Sequence, residues 1–133
     1  MKIILASKSE VRKKILDQNG IRCEVMPANI DEELIKDSLL KEKASPEIIS
    51  KNLAELKANK VSEKRHNHLV LGADSVIDLK GELISKPKNR DEAFAILKKL
   101  NGQKHQLISS VCISKNGADL EFYRYFCFNN EAT

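Results

Sequence analysis

The chain opens on a short apolar run, Ile3-Ile4-Leu5-Ala6, which breaks at Ser7-Lys8-Ser9 into a segment of mixed charge and apolar positions. This pattern predicts a buried strand over 2–6 and a helix from about Glu10 to Asn19. Ser9 suits the helix cap, Glu10 suits the positive end of the helix dipole, and Gly20 suits the stop. Ile21–Met26 reads as a second strand ended by Pro27, followed by an acidic connector, Ile30-Asp31-Glu32-Glu33. Ser45-Pro46 is a helix start, and the helix is expected to run to about Val61 with Ile49, Leu53 and Leu56 as its apolar stripe. Ser62–Asn67, basic and His-containing, reads as a surface connection.

Leu69-Val70-Leu71 is a continuous apolar run, as expected of a central strand covered on both faces, and Gly72-Ala73-Asp74-Ser75 follows it directly. Val76–Leu79 and Glu82–Ile84 form a predicted hairpin around Lys80-Gly81. A helix opening at Asn89 or Arg90 should run to Leu100 with an Ala93, Ile96, Leu97 and Leu100 face, stopped by Asn101-Gly102. Gln106–Ser114 and Leu120–Phe128 predict a second hairpin around Asn116-Gly117. Helices and strands interleave, so the expected class is α/β, a mixed sheet with flanking helices. A length of 133 residues has room for one domain, residues 1–133.

Composition narrows the function classes. Hydrophobic residues are 41% and charged residues 32% of the chain, an ordinary globular balance. The longest apolar runs fall far short of the ~20 residues of a membrane span, so no membrane association is expected. The apolar stretch at the N-terminus is too short for a secretory signal. A net charge of +4, 5% aromatics and no Trp supply a poor base-stacking surface, which disfavours nucleic acid as a partner. Cys23, Cys112 and Cys127 are odd in number and widely spaced, a pattern of reduced, buried thiols and a cytoplasmic setting.

Candidate chemistry begins at the Ser7-Lys8-Ser9 junction. A turn that leaves a strand and opens a helix presents N–H groups and a positive dipole end, suited to phosphate. Arg12 falls between Ile15 and Leu16 on the helical wheel, in line with the inward face. An inward Arg at a helix N-terminus works against the dipole, so it either snorkels outward or awaits an anion. Asp74 stands amid Leu, Val, Gly and Ala, where a buried carboxylate needs a metal or a cation; otherwise it is a turn or cap residue. Asp31-Glu32-Glu33 is either an oxygen-ligand site for a hard metal or solvated surface. Lys57 lies at the flank of the long helix's apolar stripe, within reach of a cleft or snorkelling. Lys86-Pro87 is extended by the proline rule and, alone, reads as a loop. His66 and His68 lack a third ligand nearby and read as loop, and His105 reads as structural.

The order of these motifs carries a resemblance. Leu5-Ala6-Ser7-Lys8-Ser9-x-x-Arg12, Ile30-Asp31-Glu32, Leu53-Ala54-x-x-Lys57-Ala58, Gly72-Ala73-Asp74-Ser75 and Lys86-Pro87 occur in the order found in the Maf family of nucleotide pyrophosphatases. Asp91-Glu92-Ala93 through Gly102 and His105 is also similar, so the likeness spans residues 2–114. The resemblance implies a Maf and inosine-triphosphatase-like α/β fold of two lobes with a cleft between them. It implies cleavage of a nucleoside triphosphate between the α and β phosphates with Mg²⁺ or Mn²⁺, on modified or non-standard nucleotides. Asp74 would be general base and metal ligand, and Glu32 a second metal ligand. Ser7, Ser9, Arg12, Lys57 and Lys86 would bind the triphosphate. The contrasting expectation is an inactive nucleotide-binding or cell-division regulatory remnant.

Two departures stand out. Glu10 replaces the proline that family members usually carry, and Val11 a frequent basic residue. Val11-Arg12-Lys13 is nearer the methylated-GTP subgroup, whereas Ser75 resembles the Thr of the thymidine/uridine triphosphate group. Family members also continue past the point where this chain stops, so the second lobe is expected to be incomplete. The Leu120–Phe128 strand, with Phe122, Tyr123, Tyr125, Phe126 and Phe128, would then be partly uncovered and open to pairing as a homodimer.

Overall fold

The computed structural model describes residues 2–84, 87–116 and 118–131, the last stretch by its backbone alone. Among the described residues six strands form one mixed sheet. β1 (Ile3–Leu5) pairs in parallel with β2 (Cys23–Val25) on one side and with β3 (Val70–Leu79) on the other. β3 pairs antiparallel with β5 (Lys104–Lys115), which pairs antiparallel with β6 (Ala118–Glu131). β4 (Glu82–Ile84) folds back on the end of β3, so the order is β2-β1-β3-β5-β6.

The helices start where their caps predict. α1 (Glu10–Gln18) is capped by Ser9, whose hydroxyl accepts from the Arg12 N–H, and Gly20 leaves it at φ 75°. α3 (Pro46–Lys64) is capped by Ser45 with proline in its first turn. α4 (Arg90–Leu100) is capped by Asn89, and the Glu92 carboxylate accepts in return from the Lys88 N–H. Lys80 and Gly81 turn the β3–β4 hairpin at positive φ, and the Asp78 carboxylate accepts from the Gly81 N–H.

One helix of the fold was not expected. The acidic connector is the start of α2 (Glu32–Lys41), with Asp31 as its cap accepting from the Leu34 N–H. Asp31 therefore serves the helix, and Glu32 and Glu33 sit in its first turn, where the dipole favours anions. A second correction concerns Gly72-Ala73-Asp74-Ser75, which lies inside the ten-residue strand β3 rather than after it.

The core lies between α3 and one face of the sheet. Even-numbered residues of β1, β3 and β5 point to α3, so Ile4, Val70 and Cys112 pack with Ala54, Ala58 and Val61. Gly72 permits the closest approach: a Cβ there would press into the Ala54 carbonyl and lie 2.7 Å from the Ala58 nitrogen. The buried face of α3 is Ile49, Leu53, Ala54, Ala58 and Val61, whereas Leu56 is exposed. The stripe turns away from Leu56 because the small residues Ala54 and Ala58, not the large leucine, face the glycine. Leu97 of α4 and Ile15 of α1 are likewise exposed, against expectation, while Leu100 is buried.

Odd-numbered residues point the other way. Leu5, Leu71, Ala73, Leu107 and Val111 line an open recess of about 490 Å³ beside α1. The expected uncovering of Phe122, Tyr123, Tyr125, Phe126 and Phe128 concerns side chains outside the described residues; their backbone belongs to β6, the outermost strand of the sheet order. Cys112 is buried, with its sulfur 3.6 Å from Ser114 Oγ, Cys23 is a half-buried free thiol, and the Cys127 side chain lies outside the described residues. Among the described residues no helix is long and apolar enough to cross a membrane.

β2 is tied to the far end of α3 by charge. Arg65, at the α3 C-cap, reaches both oxygens of Glu24, and Lys2 stands 3.2 Å from the same carboxylate. The Arg65 hydrogen bond, reinforced by Lys2, holds the Glu24 carboxyl down to about 2.

Candidate active site

The turn after β1 builds the first half of the site. Ser7 is buried, and its hydroxyl accepts from the Ser9 N–H at 3.1 Å and from Arg12 Nη1 at 2.9 Å. The second Arg12 nitrogen, Nη2, stands 3.4 Å from Ser75 Oγ on β3. Arg12 is thus drawn inward from the first turn of α1, as its place on the helical wheel predicts. It makes no ion pair with a carboxylate among the described residues, so its charge is steered by neutral hydroxyl oxygens and left uncompensated.

α2, α3 and β3 build the second half. Lys57 follows Leu53 by four residues and precedes Val61 by four, which places it on the inward side of α3 between two buried apolar residues. Its ammonium lies 2.7 Å from Glu32 Oε1 and 3.1 Å from Asp74 Oδ1. Glu32 is the open end of this triad, with 37% of its side chain exposed, and Asp74 the closed end, with 10%.

Asp74 is a perturbed carboxylate. Burial pushes its pKa up, Lys57 pulls it down, and nearby Glu32 raises it again. Its Oδ2 has no hydrogen-bond partner among the described residues, nor has Ser110 Oγ, which stands opposite it on β5. Its backbone carbonyl accepts from the buried Ser50 hydroxyl of α3, which fixes the strand at this point.

The two halves meet in a cleft of about 680 Å³, lined by Ser7, Ser9 and Arg12 on one side and by Glu32 and Lys57 on the other. Asp74 joins it through Lys57 from the middle of β3, not from a strand end. Lys86 lies outside the described residues. Three contributors went unread in the sequence. Lys8 lines the cleft, Lys36 of α2 lowers the Asp74 pKa, and Ser109 of β5 stands 2.9 Å from Ser75. Only Ser109 had a local signal, because alternation in β5 puts it on the recess face.

The donor set suits a hard divalent cation. Two carboxylates stand within hydrogen-bond distance of one ammonium, and the buried Asp74 keeps an oxygen without a partner among the described residues. No group of three or more His, Cys, Asp or Glu side chains gathers among the described residues. Such a site fits an ion like Mg²⁺, which takes one or two carboxylates and fills its shell with water and substrate phosphate oxygens.

This arrangement of hydroxyls, cations and paired carboxylates sits in a chain with clear relatives. It is 66% identical over 116 residues to a nucleoside triphosphate pyrophosphatase of Pelagibacter ubique, covering 87% of this chain and 60% of that protein. It is 38% identical over 120 residues to a 7-methyl-GTP pyrophosphatase of Brucella abortus, covering 90% and 60% respectively. The chain thus spans about 60% of the length of these curated relatives. In three dimensions it resembles a HAM1 protein from Coxiella burnetii with a TM-score of 0.64 at 14% identity, over 98% of this chain and 72% of that one. That likeness extends to the fold. The family model described as Maf-like protein matches residues 2–128, nearly the whole sequence, and the chain belongs to that family.

Proposed function

We propose that this chain hydrolyses nucleoside triphosphates between the α and β phosphates, releasing nucleoside monophosphate and pyrophosphate. The observation that carries this reading is the Glu32–Lys57–Asp74 triad opening onto the same cleft as Ser7 and the unpaired Arg12 charge. A triphosphate brings about four negative charges, and its cleavage is chiefly a matter of positioning and charge stabilisation. Arg12, Lys57 and the hydroxyls of Ser7 and Ser9 would bind the phosphates, together with Lys86. Glu32 and Asp74 would hold Mg²⁺ or Mn²⁺, which supplies charge neutralisation to the phosphoryl oxygens and acidifies bound water. Asp74, buried and with its pKa raised, suits the acceptance of a proton from the attacking water.

The names of the relatives support this chemistry, and the Brucella protein points to a modified base as substrate. In this reading residues 1–133 act as one Maf-like domain in the cytoplasm, with homodimerisation along β6 checked by sedimentation of the whole chain. The test is pyrophosphate release from standard and methylated nucleoside triphosphates with Mg²⁺, run beside the Pelagibacter relative. Release that disappears in Asp74→Asn supports the proposal. A wild-type rate no greater than that of Asp74→Asn overturns it, and retained binding without turnover would favour a nucleotide-binding remnant.

A further inference from the structure

Resting on the phosphate-binding role proposed for Arg12, we infer that Ser109 is a positioning residue that fixes the Arg12 guanidinium by way of Ser75. Ser75 and Ser109 are register partners on β3 and β5, and their hydroxyl oxygens lie 2.9 Å apart. Ser75 Oγ in turn lies 3.4 Å from Arg12 Nη2, and Ser7 Oγ holds Nη1 at 2.9 Å. The guanidinium is therefore gripped at both tips, by the turn after β1 and by the middle of β3.

The chemistry of the grip explains why hydroxyls are used. A carboxylate would hold an arginine more firmly, but it would cancel the charge that an anion needs. A serine hydroxyl has one proton and two lone pairs. When Ser75 gives its proton to Ser109, its lone pairs turn to Arg12, and the donated bond strengthens the oxygen as an acceptor. Without Ser109 the Ser75 hydroxyl rotates freely, and the long Nη2 contact is the first to be lost. The positive dipole end at the first turn of α1 repels the cation, so the hold on the guanidinium comes from Ser7 and Ser75.

The experiment uses the full chain and two readouts. The first is the order of the Arg12 Nε–H group, from ¹⁵N relaxation without ligand. It should fall in Ser109→Ala and in Ser75→Ala and be retained in Ser109→Thr, which keeps the hydroxyl. The second is calorimetric affinity for a non-hydrolysable α,β-methylene triphosphate with Mg²⁺. Ser109→Ala should weaken binding roughly 3- to 10-fold, the scale of one lost hydrogen bond. In an Arg12→Ala background the same change should have no further effect, because the two residues act as a unit. Unchanged Arg12 order in Ser109→Ala overturns the inference. So does an equal loss of affinity with and without Arg12. If Arg12→Ala binds like wild type, the phosphate role fails, whereas the relaxation result still decides the positioning.

Discussion

Lys57 Nζ stands 3.1 Å from Asp74 Oδ1, joining the inward side of a helix to the middle of a central strand. The pair is closed on one side by burial and open on the other through Glu32, so the carboxylate is held inside while the cleft remains accessible. A buried pair of this kind is weak support for stability, because desolvation offsets the attraction. Its position, rather than its energy, is what the proposed chemistry would use.

Asp74→Asn separates these roles. It should reduce turnover by on the order of 10²–10⁴, the usual scale for a lost general base. Folding should not suffer, because burial already disfavours the charged carboxylate and Lys57 keeps Glu32 as a partner. Pyrophosphate release and a urea melt on the same samples check both halves; a large drop in the urea midpoint would make Asp74 structural.

Arg12→Ala should weaken triphosphate binding by about 1.5–3 kcal/mol, the range for hydrogen bonds to charged groups. Arg12→Lys should recover little of this, since one ammonium cannot span Ser7 and Ser75 as the planar fork does. Calorimetry on the two variants decides the matter, and full recovery by lysine would show that charge alone is used.

Gly72→Ala tests the packing that carries Lys57. The added methyl meets backbone atoms of Ala54 and Ala58, which cannot swing aside as a flexible side chain would. A destabilisation of about 1–3 kcal/mol is expected, as for other overpacked cores. Nucleotide affinity should fall with it, because the displaced helix is the one that bears Lys57. A urea midpoint equal to wild type would show that α3 stands further from β3 than described.

Glu24 sets an acid limit on stability. Its folded pKa, about 2, lies below its ordinary value of 4.5, so its contribution is complete above about pH 4.5 and is lost as the pH falls towards 2. In Glu24→Gln that part of the pH dependence should vanish, leaving a flatter urea midpoint between pH 5 and 2.5. Two superimposable curves would mean that the Arg65 and Lys2 contacts give way in solution.

The sequence displays those parts of the fold whose signals are local. Ser9, Ser45 and Asn89 cap helices where the hydroxyl and amide pattern places them, and the inward turn of Arg12 follows from its place on the wheel. Two misreadings share one cause, a residue judged by its neighbours in sequence rather than by what packs on it. Gly72-Ala73-Asp74-Ser75 reads as following a strand, yet it is extended within β3, and Gly72 lies directly under the helix. Asp31, Glu32 and Glu33 read as a connector, yet they cap and open a helix. The triad itself was legible as separate candidates, but the meeting of Glu32, Lys57 and Asp74 depends on three elements docking, which no spacing expresses.

The alternation of β3 also bears on which changes in chain length the protein tolerates. Asp74 and Ser75 are consecutive residues that serve opposite sides of one sheet, the first towards Lys57 and the second towards Arg12. Val70 and Leu71 anchor the strand to β1. Removing a single residue between that anchor and Asp74 would exchange the two sides. The carboxylate would then face Arg12 and neutralise it, while Lys57 would face a hydroxyl. An in-frame deletion that spares every charged residue would thus invert the electrostatics of the cleft, so this stretch should reject indels more strictly than it rejects many substitutions.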